Sequence, residues 1–588
     1  MFADASLITR DGTELVSRVW RPEGDGPWPA LLMRQPYARA IASTVTLPHP
    51  DWWSNYGFLV VVQDVRGQGD SGGSFRGFSV EAQDTAETLT WLREMPEVNG
   101  RIGMYGFSYQ GLTQLLGPPD CPPPDCLAPA MCGLSERDHW SCDGNAHWWH
   151  LSLGWGLQLA CLQAQRRGDP AAWEEMRRSL EDGSYLREGL SLLKRHDPEG
   201  MAVRWLTQSA ERNSDWIRHS PPDRWLRRPM LLLGGWWDPH LRGVIDLAER
   251  SRAAGGQPEL HIGPATHLEW WPESSALLLN FFQRHLQPPL SEISVHADNP
   301  DTDHGPVDSN PIVLRLWDQI SENWCGEEVL SHASIPPSAD QRWHLDSQGL
   351  ACLTPEEGLI RDSAPEHPGK VVIVHDPWRP VPAVGGHLSP NAGPCDRGSL
   401  DRRSDVAVFS GDRLSNVLNL CGSPKLRLRV RADQPGFDLC VALSRLPAGT
   451  TRVQQLSTGV LRVRGEDALR LQERELELQA LQATLQPDDR LRLSIAGSAW
   501  PAIGINPGDP AMACAASSAS RSTSSARAVI SCTFSTDRIC PGILSSMLWH
   551  WSSMKVTSGL FSPPPRITSN RIRNSWNGSA ARTSYRFV

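Results

Sequence analysis

Apolar positions in the first 135 residues fall in short unbroken runs, whereas beyond residue 420 they alternate with charged ones, and this contrast divides the chain. Ala30-Leu31-Leu32-Met33 and the run over 58–62 are expected to be parallel strands covered on both faces. Thr85, Leu89 and Leu92 keep helical spacing, with Ser79 as the expected N-cap and Pro96 as the stop. The next strand, 102–105, runs directly into Gly106-Phe107-Ser108-Tyr109-Gln110-Gly111. From about 136 to 225 the chain becomes rich in Leu, Arg, Glu and Trp at helical spacing, the pattern of an inserted helical cap. Strand patterns return at Met230-Leu231-Leu232-Leu233 and Leu260-His261-Ile262, and a helix over 275–286 closes the first domain. An α/β domain is therefore expected over 1–135 and 226–286.

Residues 287–311, rich in Pro, Asp and Asn, read as a linker. A second domain is expected from 312 to 510. There Leu426, Leu428 and Val430 alternate with arginines, and Leu439, Val441, Leu443 and Leu491, Leu493, Ile495 repeat the pattern. Period two with one polar face marks antiparallel strands, and a β-sandwich fits. After Asp509 the composition changes abruptly. Residues 511–588 are crowded with Ser and Arg and hold one acidic residue, Asp537. A disordered tail and a changed reading frame in the gene are the two readings of this stretch.

Composition narrows the class. At 588 residues the chain calls for two or three domains, and 40% hydrophobic residues with 21% charged is ordinary for a globular protein. A net charge of -9 argues against nonspecific nucleic-acid binding. No apolar run approaches a membrane span, and the start lacks the pattern of a signal peptide, so a cytoplasmic location is expected. The 13 Cys form no paired framework. Cys121 and Cys126 lack partners at zinc spacing, so no metal is expected there. The 25 Trp, against 6 Tyr, gather partly in the cap, at Trp140, Trp148, Trp149, Trp155, Trp173, Trp205 and Trp216. Helix packing is their bland reading, and a broad pocket lined by indoles the sharper one.

Three strand ends carry the candidate chemistry. A serine alcohol attacks only when a base takes its proton, an acid orients the base and donors meet the oxyanion. Ser108 lies in a strand–turn–helix context, though Gln110 occupies the second glycine position of G-x-S-x-G. Asp238 ends the strand that begins at Leu231, and His267 ends the one that begins at Leu260. Taken singly, each reads as a turn residue. Together they give the order Ser…Asp…His of α/β hydrolases. Asp64, in the Gly-rich loop that runs to Gly73, reads as a structural tie through Arg66.

Arg34-Gln35-Pro36-Tyr37, the loop over 64–73, Gly106 to Gly111, Gly234 to Asp238 and Gly263 to His267 resemble the family of cocaine esterase and the X-prolyl dipeptidyl aminopeptidases. The resemblance continues at Asp376-Pro377-Trp378-Arg379-Pro380-Val381-Pro382, Gly385-Gly386 and Ser457 to Arg462, and covers about residues 5 to 509. It implies an α/β hydrolase with a helical cap, followed by a jelly-roll domain. By this resemblance Ser108 is the nucleophile, Asp238 the acid, His267 the base, and the Tyr37 hydroxyl with the Tyr109 N–H the oxyanion hole. No cofactor is implied. The substrate is a small ester or a short peptide, and a homodimer is the assembly left open. Gly117-Pro118-Pro119 departs from the family and is expected to shorten the nucleophile helix. An X-Pro dipeptidase must hold a free ammonium group, for which Asp143, Glu174, Glu175 and Glu181 are the carboxylates on offer. A non-catalytic binding protein on a degenerate hydrolase scaffold is the rival from another class.

Overall fold

The computed structural model describes residues 2–40, 46–287, 312–330, 341–367, 369–506, 528–534 and 538–542. The first half is built on β1 (Phe2–Ile8), β2 (Glu14–Trp20), β3 (Trp28–Gln35), β4 (Leu59–Asp64), β5 (Val98–Phe107) and β6 (Cys126–Ala130). A small ribbon, β7 (Cys142–Asp143) with β8 (Ala146–His147), precedes β9 (Leu231–Trp237), β10 (Glu259–Thr266), β11 (Ile312–Asp318) and β12 (Asn323–Leu330). All but the ribbon join one sheet in the order β1-β2-β4-β3-β5-β6-β9-β10-β11-β12. From β4 through β11 neighbouring strands are parallel, with antiparallel strands at both edges.

The central strands are apolar on both faces because both are covered. Every residue of β4 is buried, as is all of β3 after Trp28. Helices α1 (Pro50–Ser54), α2 (Glu81–Glu94) and α3 (Tyr109–Thr113) follow in chain order. Helix α2 stops where expected: Met95, ahead of Pro96, is extended at φ -69° and ψ 123°, since a residue before proline is pushed out of the helical region. Ser79 does not cap it. The residue at that position is Val80, and the Ser79 hydroxyl donates to the Arg76 carbonyl instead.

Between the neighbouring strands β6 and β9 the chain leaves the sheet and makes the cap: α4 (Trp149–Arg166), α5 (Pro170–Asp182), α6 (Tyr185–His196), α7 (Met201–Thr207) and α8 (Asp223–Leu226). Helices α9 (Leu241–Ala253) and α10 (Ser274–Leu286) return to cover the sheet. The cap has its own core, with Leu153, Leu157 and Ala160 of α4 against Met176, Leu192 and Leu193.

The second half is a mostly antiparallel β domain, in which Gly358–Arg361 and Val406–Gly411 pair in parallel. The alternating stretches form the strands Leu418–Ala432, Gly436–Leu446 and Arg490–Ala496. Leu418–Ala432 buries every second residue, but the first nine residues of Gly436–Leu446 are all buried. Its second face is covered by the first half: Cys440 and Val460 pack with Ala146. Two expectations about boundaries change. Residues 312–330, where the second domain is expected to begin, form a hairpin whose first strand pairs with β10 and so extends the first sheet. In the stretch expected to be anomalous, Ala528–Phe534 and Arg538–Gly542 pair into the second sheet. Residues 543–588 and, apart from Gln287, the linker expected over 287–311 lie outside the described residues.

Candidate active site

Ser108 follows β5 directly and precedes α3. Its backbone sits at φ 57° and ψ -126°, a left-handed conformation that costs a non-glycine residue roughly 1–3 kcal/mol. Local bonds hold it there: Ser108 N–H donates to Ala130 O at 3.0 Å, and Gly111 and Leu112 donate to Ser108 O at 2.9 and 3.1 Å. The glycines are where the turn needs them. A Cβ on Gly106, at φ 139°, would stand 2.5 Å from Gln110 Cβ. One on Gly111 would stand 2.8 Å from Ala130 O and 2.9 Å from Cys132 Sγ. The close approach in this chain is therefore at 111, and a side chain fits at 110. Helix α3 is a single short turn, as the Gly-Pro-Pro sequence predicts. Gly117 ends the segment against the Trp225 indole, which a Cβ would meet at 2.1 Å.

Asp238 and His267 are brought together from the ends of adjacent strands. His267 Nδ1 donates to Asp238 Oδ2 at 2.6 Å, and the His240 N–H donates to Asp238 Oδ1 at 2.8 Å. Asp238 is fully buried. Burial alone would raise its pKa, but the neighbouring His267, through charge and hydrogen bond, and the His240 N–H hold it below the ordinary carboxylate value. With Nδ1 donating, the His267 tautomer leaves Nε2 as the acceptor. The His267 ring lies 5.3 Å from that of Phe107, the residue before Ser108.

The expected oxyanion residues are held from behind. Trp155 of α4 donates its Nε1–H to the Tyr37 hydroxyl at 3.0 Å. That bond occupies an acceptor site on the phenol and leaves its own proton to donate elsewhere. Burial pushes the Tyr37 pKa up to about 12, so it stays a phenol at neutral pH. Tyr109 opens α3, where a helix leaves backbone N–H groups unpaired. Its side chain donates to Glu81 Oε1 at 2.7 Å, and Glu81 Oε2 accepts from Arg34 Nη1 at 2.7 Å, all fully buried.

Several partners had no signal in the sequence. The His240 ring lies tilted 4.9 Å from His267 and 4.5 Å from Trp140, and its Nδ1 is 2.6 Å from the His139 carbonyl, to which it donates. Burial lowers its pKa to about 4, which keeps it neutral. Gln479, from the β domain, reaches the carbonyls of Trp236 and Asp238. Asp64 is structural as expected, but its cation is Arg39, whose Nη1 lies 2.8 Å away; Arg66 pairs with Asp84 and Asp11. The tryptophans divide. Trp140, Trp155 and Trp205 cluster over Tyr37 and His240, joined by Trp148, while Trp149 packs in the cap core. Trp216 lies beside His147, and Trp173 is partly exposed under Arg177.

The four carboxylates considered for an ammonium group are engaged. Glu174 and Glu181 bind Arg177, Glu175 binds Arg195 and His196, and Asp143 is buried between Arg242 and His387. Among the described residues, no group of three or more His, Cys, Asp or Glu suits a metal ion, and no helix is long and apolar enough to cross a membrane. Cys121 and Cys126 are buried thiols whose pKa values burial raises.

The parallel sheet, the strained serine turn and the paired acid and histidine at adjoining strand ends define the class: the chain is a serine hydrolase of the α/β type. Residues 11–269 match the model of the X-Pro dipeptidyl-peptidase (S15 family), and 308–533 match the X-Pro dipeptidyl-peptidase C-terminal non-catalytic domain. Along most of its length the chain thus resembles cocaine esterase and the X-prolyl dipeptidyl aminopeptidases. It is 25% identical over 543 residues to the cocaine esterase of Rhodococcus sp. (strain MB1 Bresler), covering 84% of this chain and 90% of that one. Among solved structures, an aminopeptidase from a marine sediment Thaumarchaeota archaeon superposes with a TM-score of 0.65 at 18% identity, over 92% of this chain and 96% of its own. A CocE/NonD family hydrolase from Staphylococcus aureus gives 0.61 at 16% identity, over 92% and 93%. These two likenesses concern the fold.

Proposed function

We propose that this protein hydrolyses carboxylic esters through an acyl-enzyme, with Ser108 as nucleophile, His267 as base and Asp238 as the orienting acid. The observation that carries the reading is the 2.6 Å bond from His267 Nδ1 to buried Asp238, with the His267 ring 5.3 Å from that of Phe107, which directly precedes Ser108 in its strained turn. A protein without use for that serine gains nothing from the strain, which weighs against a non-catalytic scaffold. His267 Nε2 takes the Ser108 proton, and Ser108 Oγ attacks the carbonyl carbon. The oxygen that becomes negative is met by the Tyr37 O–H and the Tyr109 N–H. His267 returns the proton to the leaving alcohol, then activates water to release the acid.

Ester rather than dipeptide substrates are supported by the pairing of Asp143, Glu174, Glu175 and Glu181. Each is already paired with an arginine, so its charge is largely neutralised before any ammonium group arrives. The indoles of Trp140, Trp155 and Trp205 suit a bulky apolar acyl group. Labelling with a fluorophosphonate, followed by parallel assays on an aryl ester and a Gly-Pro-anilide, tests both parts. Absence of labelling refutes the nucleophile. Faster turnover of the anilide makes the protein the X-Pro dipeptidyl-peptidase that its family model describes. The enzyme is proposed to work without a cofactor on a small soluble substrate, as a monomer or homodimer.

A further inference from the structure

Gln479 belongs to the half of the chain whose matched family model is called non-catalytic, yet its side chain ends at the acid of the hydrolase domain. Its Nε2 lies 3.0 Å from the Trp236 carbonyl and 3.0 Å from the Asp238 carbonyl. An amide nitrogen has two protons, and here each faces one acceptor. Gln479 is 2% exposed and its own backbone is pinned: its N–H donates to Thr458 O at 2.9 Å, and its carbonyl accepts from Ser457 Oγ at 2.5 Å. The amide is therefore offered to the acid loop from a fixed position.

The neighbouring residues make the same crossing. Arg242 Nη2 donates to Glu477 O at 2.9 Å, Ala480 packs in the core of the first sheet, and Gln319 N–H donates to Gln482 O at 3.0 Å. Asp318, at the end of β11, accepts from the Thr484 hydroxyl. Residues 477–484 thus run across the ends of β9 and β11. The Asp238 loop leans on this segment: besides Gln479, the Asp238 carbonyl has one hydrogen bond, from Leu241 N–H at 3.3 Å.

We propose that Gln479 is a positioning residue for Asp238, so that the β domain holds the acid in line with His267 and the two halves form one catalytic unit. The proposal rests on the triad reading above. Removing the amide leaves two buried carbonyls short of a donor in the loop that presents the acid. A shift of the order of an ångström in such a group costs up to about a hundredfold in rate.

The test compares the full-length wild type with Gln479→Met, which keeps the length and loses both protons, with Thr484→Val, which breaks another bond of the same seam, and with Asp238→Asn. Rates are normalised by fluorophosphonate titration of active enzyme. Gln479→Met is expected to lower kcat by roughly tenfold or more, with KM within about twofold, and to shift or broaden the far-downfield proton resonance of the His267–Asp238 bond. Thr484→Val is expected to leave kcat and that resonance unchanged. If Gln479→Met does not accumulate as folded protein, Gln479→Glu carries the test. Its carboxyl has one proton to give at low pH and none once ionised, so its activity relative to wild type should fall as pH rises, and a flat ratio overturns the proposal. A Gln479→Met enzyme with wild-type kcat and an unmoved resonance also overturns it. The triad reading fails separately, if Asp238→Asn stays fully active.

Discussion

Replacing Tyr37 by Phe isolates one hydroxyl, and the structure sets the size of its effect. The Trp155 Nε1–H, 3.0 Å from the phenol oxygen, fixes the direction in which the hydroxyl proton is left to point. The phenol is held neutral by a pKa pushed up to about 12, so the donor is present throughout the working pH range. A donor aimed at an oxygen that becomes charged only in the tetrahedral intermediate stabilises the transition state more than the bound ester. Loss of one such donor costs about 10² to 10³ in kcat, or roughly 3 to 4 kcal/mol. The Tyr109 N–H remains, so activity should fall without vanishing. The change also strands the Trp155 N–H, at a cost of about 1–3 kcal/mol in stability. A melting experiment reads that cost apart from catalysis. Steady-state kinetics on one aryl ester should show the fall in kcat with KM nearly constant. Trp155→Phe, which frees the phenol to rotate, should show a smaller fall. A Tyr37→Phe enzyme with kcat within about threefold of wild type refutes the oxyanion role.

Other outcomes follow from the same geometry. Ser108→Ala should lose fluorophosphonate labelling and on the order of 10⁶ in kcat while keeping its fold; a tenth of wild-type activity would remove Ser108 from the mechanism. Ser108→Gly should melt higher than wild type, because glycine relieves about 1–3 kcal/mol of strain at φ 57°, and an unchanged or lower melting temperature contradicts the strain. Gly111→Ala should destabilise by about 1–3 kcal/mol, since its Cβ meets a carbonyl and a buried sulfur, and a silent change would mean the turn can open. His261, 2% exposed with neither ring nitrogen hydrogen-bonded, has its pKa lowered to about 4, chiefly by burial. Its unfolded value is about 6.5, so the unfolded chain binds the extra proton, and stability is lost as pH falls from 6.5 toward 4. At up to about 3 kcal/mol over that window, His261→Phe should flatten the acid limb of a melting-temperature profile, and a profile parallel to wild type refutes the assignment.

Much of the site was legible in the residues because its parts are local. A short apolar run followed by a tight Gly-Ser turn reads as strand and elbow wherever it stands, and β5, β9 and β10 end at Ser108, Asp238 and His267. Gly106 is local in the same way, since its Cβ would meet Gln110 four residues on, whereas Gly111 and Gly117 are constrained by Ala130, Cys132 and Trp225 from farther along the chain. The alternation over 426–431 points to a strand with one buried face, because strand geometry has period two, and that strand runs over Leu418–Ala432.

What the sequence could not determine by itself is which distant groups meet. Ser79 was the plausible helix cap, but its hydroxyl found the nearer Arg76 carbonyl. Arg66 stands two residues from Asp64, yet Arg39 takes the carboxylate because the chain folds back beside it. The same holds for Glu81 behind Tyr109, Trp155 behind Tyr37 and Gln479 behind Asp238, partners between 28 and 241 residues apart. A hairpin at 312–330 has the pattern of the β domain and joins the other sheet, since an edge strand takes whichever partner the packed domains leave open. Side-chain periodicity and turn chemistry are written along the chain, so sequence determined the elements and pointed to the candidate residues at their ends. Hydrogen bonds across the sheet ends depend on closing long loops around two packed cores, and only the tertiary structure decided those.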